Sequence, residues 1–364
     1  MIAITNSRFF RDNELIANQT ILINEGKIVA FTDGTIPNGC EVIDAEQDYL
    51  VPGFIELQIY GSGGNLFSAY PTAATLAQMD EDLISKGTTN FLACVATNAT
   101  EIIHQAIEAA KAYRSQAKGF MGLHLEGPYL NAKRRGAHVA EFIKKATLEE
   151  VQSLLEKADG VIKMMTIAAE LQDDEVIQLL LNNGIVLSMG HSDATFEQAT
   201  LAYNKGITTT THLFNAMPSI HHRQPNLPTA LFNHPTAMAS IIADGSHVDF
   251  EIIKMSQKLM QDRLFLITDA VTACNIGPYQ HQLLGDKFIT PDGTLSGSNI
   301  TMVQAVQNCV NYCNIPIAEA IKMASLYPAK VMGQQNNKGK IEIGYNADLL
   351  LLSSELNLKH VFKS

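Results

Sequence analysis

Short apolar runs recur along most of the chain, and the spacing between them sorts it into two textures. An N-terminal block holds Ile2-Ala3-Ile4, Thr20-Ile21-Leu22-Ile23 and Lys27-Ile28-Val29-Ala30-Phe31, β-rich runs broken by Asn, Asp and Gly turn signals, which predict a small antiparallel sheet. From Pro52 onward, strand-like runs alternate with longer helical patterns. Eight such runs can be read: Phe54 to Tyr60, Asn90 to Ala96, Phe120 to Glu126, Val161 to Ala168, Ile185 to Gly190, Ile207 to Phe214, Ala237 to Ala243 and Leu264 to Thr268. Helical stretches such as Ala73 to Ser85, Thr100 to Ala117, Leu148 to Lys157 and Asp174 to Leu181 fall between them, the order of a parallel α/β barrel of (β/α)8 type. Lys340-Ile341-Glu342-Ile343 and Ala347-Asp348-Leu349-Leu350-Leu351-Leu352 return to β texture. The expected organisation is therefore a TIM barrel over residues 51–339 and a small β-sandwich built from residues 1–50 and 340–364.

Composition narrows the classes of function. Hydrophobic residues at 46% and charged residues at 17% fit a chain ordered almost throughout. A formal net charge of −11 offers no basic stripe for a nucleic-acid backbone, so an anionic ligand would have to be held by a few local cations or backbone amides. No run reaches the ~18 apolar residues of a membrane span, and Met1 to Phe10 lacks the basic start and apolar core of a secretory signal. A cytoplasmic protein without a membrane partner is expected. Five scattered cysteines, Cys40, Cys94, Cys274, Cys309 and Cys313, read as reduced thiols.

Polar residues cluster where such a barrel places its chemistry. Glu126, His191, His212 and Asp269 each stand at the C-terminal end of a separate apolar run. A lone His at a strand end is ordinarily structural, but strand ends in a barrel converge. One carboxylate and two imidazoles can meet on a single cation and leave a position open for water, the arrangement a hydrolytic zinc site needs. Just after the His212 strand, Asn215-Ala216-Met217 can offer amides to a small dianion, and Arg223 supplies a planar donor fork.

The segments Leu123-His124-Leu125-Glu126-Gly127-Pro128-Tyr129-Leu130, Gly190-His191-Ser192, Thr211-His212-Leu213-Phe214-Asn215-Ala216-Met217 and Thr268-Asp269-Ala270 resemble, in content and order, the N-acetylglucosamine-6-phosphate deacetylases of the amidohydrolase superfamily. Val51-Pro52-Gly53-Phe54-Ile55, Gly136-Ala137-His138 and Leu295-Ser296-Gly297-Ser298 extend the resemblance over nearly the whole chain. It implies a distorted barrel with a sandwich made from both chain ends. It also implies deacetylation of a phosphorylated N-acetyl amino sugar in amino-sugar catabolism.

By the same resemblance His138 holds the developing oxyanion, His247 contacts the sugar, and a phosphate-contacting residue arrives from a neighbouring subunit, which would make Arg223 part of a homodimer's site. Asp269 is the expected general base, taking a proton from the attacking water and returning it to the departing amine. One departure matters. Most amidohydrolases carry His-x-His at the end of the first strand, where this chain has Gln58 and Tyr60, neither a good ligand for a second transition metal. A single divalent metal is therefore expected, zinc by default with iron as the alternative. The galacto epimer of the sugar, a cyclic amide and a catalytically silent barrel remain the competing readings.

Overall fold

The computed structural model describes residues 1–11 and 13–364. Among them, eight strands pair in parallel, each with its neighbour in sequence: Phe54–Ile59, Thr88–Ala96, Phe120–Glu126, Ile162–Ile167, Val186–Met189, Thr209–Thr210, Met238–Ile242 and Leu264–Ile267. Helices cover the outside, so the strands are buried on both faces and read as continuous apolar runs; all nine residues of Thr88–Ala96 are buried.

Closure between the last strand and the first uses few hydrogen bonds, which makes the barrel a distorted one. Asp269 N–H donates to Gln58 O (3.0 Å) and Tyr60 N–H to Ala270 O (2.9 Å). The fully buried carboxylate of Glu56 accepts from Gln58 N–H (2.9 Å) and Thr268 N–H (2.8 Å), stitching the two strand ends together.

Two boundaries differ from the sequence reading by more than two residues, each for a local reason. The sixth run, expected over Ile207 to Phe214, keeps only Thr209–Thr210 as strand, because the backbone turns left-handed at His212 (φ 33°) and Phe214 (φ 78°). The helix expected to reach Ala117 ends at Tyr113. Buried Asp80 captures the Tyr113 hydroxyl (2.8 Å) and the Lys118 and Gly119 N–H groups (both 2.8 Å), so the chain leaves the helix to meet it.

The chain ends form one sheet. Ile2–Arg11, Glu14–Asn24 and Lys27–Thr32 make an antiparallel meander, Glu41–Asp44 and Tyr49–Pro52 pair with Ile2–Arg11, and Leu349–Leu352 joins Tyr49–Pro52 with Leu358–Phe362 at its edge. Strand periodicity explains the unbroken leucine run: Leu349 and Leu351 enter the terminal sheet's own core with Ile4, Phe9 and Ile28, while Leu350 and Leu352 enter the barrel core. One expected strand is absent. Lys340 to Ile343 is a loop between Gly339 and Gly344, both at positive φ (83° and 90°), and only its Ile341 is buried. A cavity of about 790 Å³ lies at this junction, but its Lys330 and Lys340 are paired with Asp262 and Glu342 and it carries no ligand set. All five cysteines are free thiols. Among the described residues no helix is long and apolar enough to cross a membrane.

Candidate active site

At three of the strand ends the chain turns sharply just where a candidate side chain stands at the barrel mouth. His191 (φ 47°), His212 (φ 33°) and Asp269 (φ 55°) all sit in the left-handed region, which disfavours residues with a Cβ and is held here by surrounding hydrogen bonds. His212 N–H donates to Ser240 Oγ (2.8 Å) and Asp269 N–H to Gln58 O. Gly190 is required beside His191, since a Cβ there would stand 2.6 Å from Thr166 Cγ2 and 2.9 Å from Thr211 Cβ.

The result is a buried cluster. Glu126 Oε1 lies 3.0 Å from His212 Nε2 and 3.3 Å from His191 Nε2, and the two imidazole nitrogens are 3.2 Å apart. His191 Nδ1 is fixed by Arg134 O (2.9 Å), so in the neutral ring Nε2 presents its lone pair to the cluster. Ligands about 2.0–2.2 Å from one ion at tetrahedral angles stand roughly 3.3 Å apart, so this set fits one catalytic zinc-type ion. Among the described residues it is the one group of three or more such side chains that could hold a metal.

Burial pushes the Glu126 carboxyl up, but the His191 and His138 rings beside it outweigh that and hold it well below the usual range. Asp269 goes the other way. Burial drives it well above the usual carboxylate range, His212 opposes this, and Glu126, Glu56 and Asp244 add to it.

The first strand supplies what sequence reasoning missed. Gln58 Nε2 donates to Glu126 Oε1 (2.9 Å) and to Asp269 Oδ1 (2.8 Å), and the Tyr60 hydroxyl donates to Glu126 Oε2. The two residues that replace His-x-His thus fill that place with hydrogen-bond donors to both carboxylates.

His138 reaches the same carboxylate, with Nε2 3.0 Å from Glu126 Oε2, and its ring packs edge-on against His191 at 4.3 Å between centroids. Asn215, Ala216 and His247 line the cavity. Asn215 N–H is used within its own turn, on His212 O (2.9 Å), whereas the Ala216 N–H has no protein partner among the described residues. His247 Nδ1 bonds Asp244 Oδ2 (2.6 Å) and its Nε2 bonds Ser296 O (2.6 Å). Arg223 lies on an exposed loop and is not part of this cavity's wall.

The opposite wall, unmarked by any periodic signal, comes from the loop after the eighth strand: Val271, Tyr279, His281 and Leu295 to Gly297. Tyr60, Leu66, Ala96, Val271 and Tyr279 form an apolar patch of their own at the site, with Cys94 among them.

Beneath the cluster, His124 is buried between Leu57 O (2.9 Å) and Thr166 Oγ1 (2.7 Å), and burial pushes its pKa from 6.5 down to about 4. The unfolded ring therefore takes up its proton before the folded one does. Stability that is fully present above pH 6.5 is lost as pH falls toward 4, by about 3 kcal/mol for this group at ~1.4 kcal/mol per pKa unit. Thermal unfolding midpoints measured across this window should fall less steeply for His124→Gln than for the unaltered chain; parallel slopes would show that His124 does not drive the loss.

Residues 49–364 match the amidohydrolase family. The chain is 33% identical to the N-acetylglucosamine-6-phosphate deacetylase of Haemophilus influenzae, over 96% of this chain and 95% of that protein. Its fold superposes with a TM-score of 0.94 on the crystal structure of N-acetylglucosamine-6-phosphate deacetylase from Pasteurella multocida (32% identity, 100% of this chain and 98% of that one). The TM-score is 0.92 with an aspartate-to-alanine mutant of the Mycobacterium smegmatis deacetylase in complex with N-acetyl-D-glucosamine-6-phosphate (28% identity, 100% and 97%). With the strand-end cluster, these similarities identify the chain as a member of the amidohydrolase family and, within it, of the N-acetylglucosamine-6-phosphate deacetylase group.

Proposed function

We propose that the chain hydrolyses the acetamide of N-acetyl-D-glucosamine 6-phosphate to D-glucosamine 6-phosphate and acetate. The observation that carries this is the convergence of Glu126, His191 and His212 opposite Asp269, in a chain belonging to the deacetylase group. Glu126, His191 and His212 would hold one divalent cation, zinc by its donor set with iron as the alternative. Bound there, it would polarise the acetyl carbonyl and acidify the attacking water.

Asp269 removes the proton from that water as its oxygen adds to the carbonyl carbon, and then delivers it to the nitrogen as the C–N bond breaks, so that a neutral amine departs. A carboxyl held above its usual range is suited to both transfers, since it is a stronger base than an exposed aspartate and a competent acid afterwards. Gln58 keeps Asp269 oriented by donating to Oδ1. His138, within reach of the same centre, is assigned the developing oxyanion, and the apolar patch of Leu66, Ala96, Val271 and Tyr279 suits the acetyl methyl while limiting water.

The free Ala216 N–H and the Asn215 side chain receive the phosphate. Arg223, exposed on its own chain, completes the phosphate site of a second copy in a homodimer. Arg223→Ala is then expected to raise KM for the phosphorylated sugar at least about tenfold, as loss of a charge-assisted contact does, and to leave KM for the unphosphorylated sugar unchanged. Equal effects on both sugars, or a monomer by sedimentation under turnover conditions, would refute the assignment.

Acetate release from N-acetylglucosamine 6-phosphate by the purified chain, beside its galacto epimer and with bound metal counted on the same sample, tests the whole reading. Turnover of the gluco sugar with about one metal per chain is the expected result. A full metal site with no acetate from either sugar would overturn it.

A further inference from the structure

We propose that His281 positions the substrate by hydrogen-bonding a hydroxyl of the sugar ring through its Nε2, a proposal that rests on the deacetylase reading above. His281 lies in the loop after the eighth strand, is 6% exposed and borders the cavity that contains the metal-ligand cluster. Its backbone is pinned at the base of a small hairpin, with His281 N–H donating to Cys274 O (2.8 Å) and Cys274 N–H to His281 O (3.1 Å). Its Nδ1 is bonded to Ser296 Oγ, which fixes the ring plane. The remaining nitrogen, Nε2, has no protein partner among the described residues.

Within the protein the hydrogen-bonding capacity of this nitrogen is unused, and on the wall of this cavity its partner comes from the cavity's contents. His247, the histidine expected from sequence to touch the sugar, is differently placed. Both of its ring nitrogens are already spent, on Asp244 and on the Ser296 carbonyl. Ser296 therefore anchors two imidazoles on one wall, and of the two only His281 has a nitrogen left to offer.

The partner is a hydroxyl rather than the phosphate. Burial lowers the His281 pKa from 6.5 to about 4, so the ring is neutral at physiological pH and gives a dianion no charge to bind. With Nδ1 held by a serine hydroxyl, Nε2 is a donor or an acceptor according to the tautomer, and a sugar hydroxyl, which both donates and accepts, satisfies either. His281 is neither a metal ligand nor in hydrogen-bond contact with one, so replacing it leaves Glu126, His191, His212 and Asp269 in place.

The test is a cycle between enzyme and substrate. The unaltered chain, His281→Phe and His281→Gln are each assayed for kcat/KM on N-acetylglucosamine 6-phosphate and on its 1-deoxy, 3-deoxy and 4-deoxy analogues. Metal content and unfolding midpoint are measured on the same samples. At one ring position, removing the hydroxyl should cost the unaltered chain about tenfold, the worth of one buried neutral hydrogen bond, and should cost His281→Phe nothing further. His281→Gln should recover part of the loss.

A merely structural histidine would lower activity by the same factor on every analogue. Losses that multiply at every position, or no loss in His281→Phe, would overturn the proposal. If His281→Phe does not fold, the same cycle is run with His281→Gln, whose amide leaves a weakened dependence on the one hydroxyl if the proposal holds and an unchanged one if it fails. Acetate release by the unaltered chain separates the two readings. Without it the deacetylase assignment falls and takes this proposal with it, whereas turnover with multiplying losses removes His281 alone.

Discussion

Asp269→Asn is expected to lower kcat by about 10²–10⁴-fold, the range carried by a positioned general acid–base group, while metal content and substrate binding stay close to those of the unaltered chain. The amide keeps the shape of the carboxylate, and its oxygen can still accept the 2.8 Å hydrogen bond from Gln58 Nε2. What it cannot do is take a proton from water and pass it to the leaving nitrogen. Burial, and after it the nearby carboxylates of Glu126 and Glu56, raise the Asp269 pKa, so a neutral amide in its place should not destabilise the fold. Single-turnover acetate release with saturating substrate, with metal counted on the same protein, measures this directly. Turnover near that of the unaltered chain would remove Asp269 from the proton path, and loss of metal would make it a ligand instead.

His191→Ala and His212→Ala are each expected to reduce bound metal from about one per chain to nearly none, and turnover with it. Catalytic sites of this type keep three protein ligands and an open position, so removing one leaves two, too few to hold the ion against dilution. The effect differs in kind from that of Asp269. Here activity should return in part when metal is added in large excess, because the proton-transfer group is intact, whereas in Asp269→Asn added metal should do nothing. Metal analysis after exhaustive dialysis, followed by titration with zinc, tests both halves. Unchanged metal content in either variant would refute the ligand set.

Much of this site could be read along the chain because barrel topology converts sequence order into position. A polar residue that ends an apolar run in a parallel barrel faces the mouth, and the same rule applies independently at Glu126, His191, His212 and Asp269. The terminal sheet was legible from its β texture, and the leucine run Leu349 to Leu352 alternates between that sheet's own core and the barrel's. Where the reading failed, a single local interaction had overruled the pattern. Asp80 ended a helix four residues early by capturing two amides, and two left-handed glycines turned Lys340 to Ile343 from strand into loop.

The sequence by itself determined the fold class and pointed to the candidate donor set, because each depends on residue type and on which end of a strand the residue occupies. Tertiary structure alone decided how those groups are wired. Gln58 and Asp269 stand 211 positions apart, Tyr60 and Glu126 66 apart, and Glu56 and Thr268 212 apart, yet each pair is hydrogen-bonded once the barrel closes. The same holds for the two histidines on Ser296. Asp244, three residues before His247, engages one nitrogen of its ring, but the Ser296 contacts that occupy His247 Nε2 and His281 Nδ1 come from 49 and 15 residues away, and sequence spacing carries no record of which nitrogen they leave open.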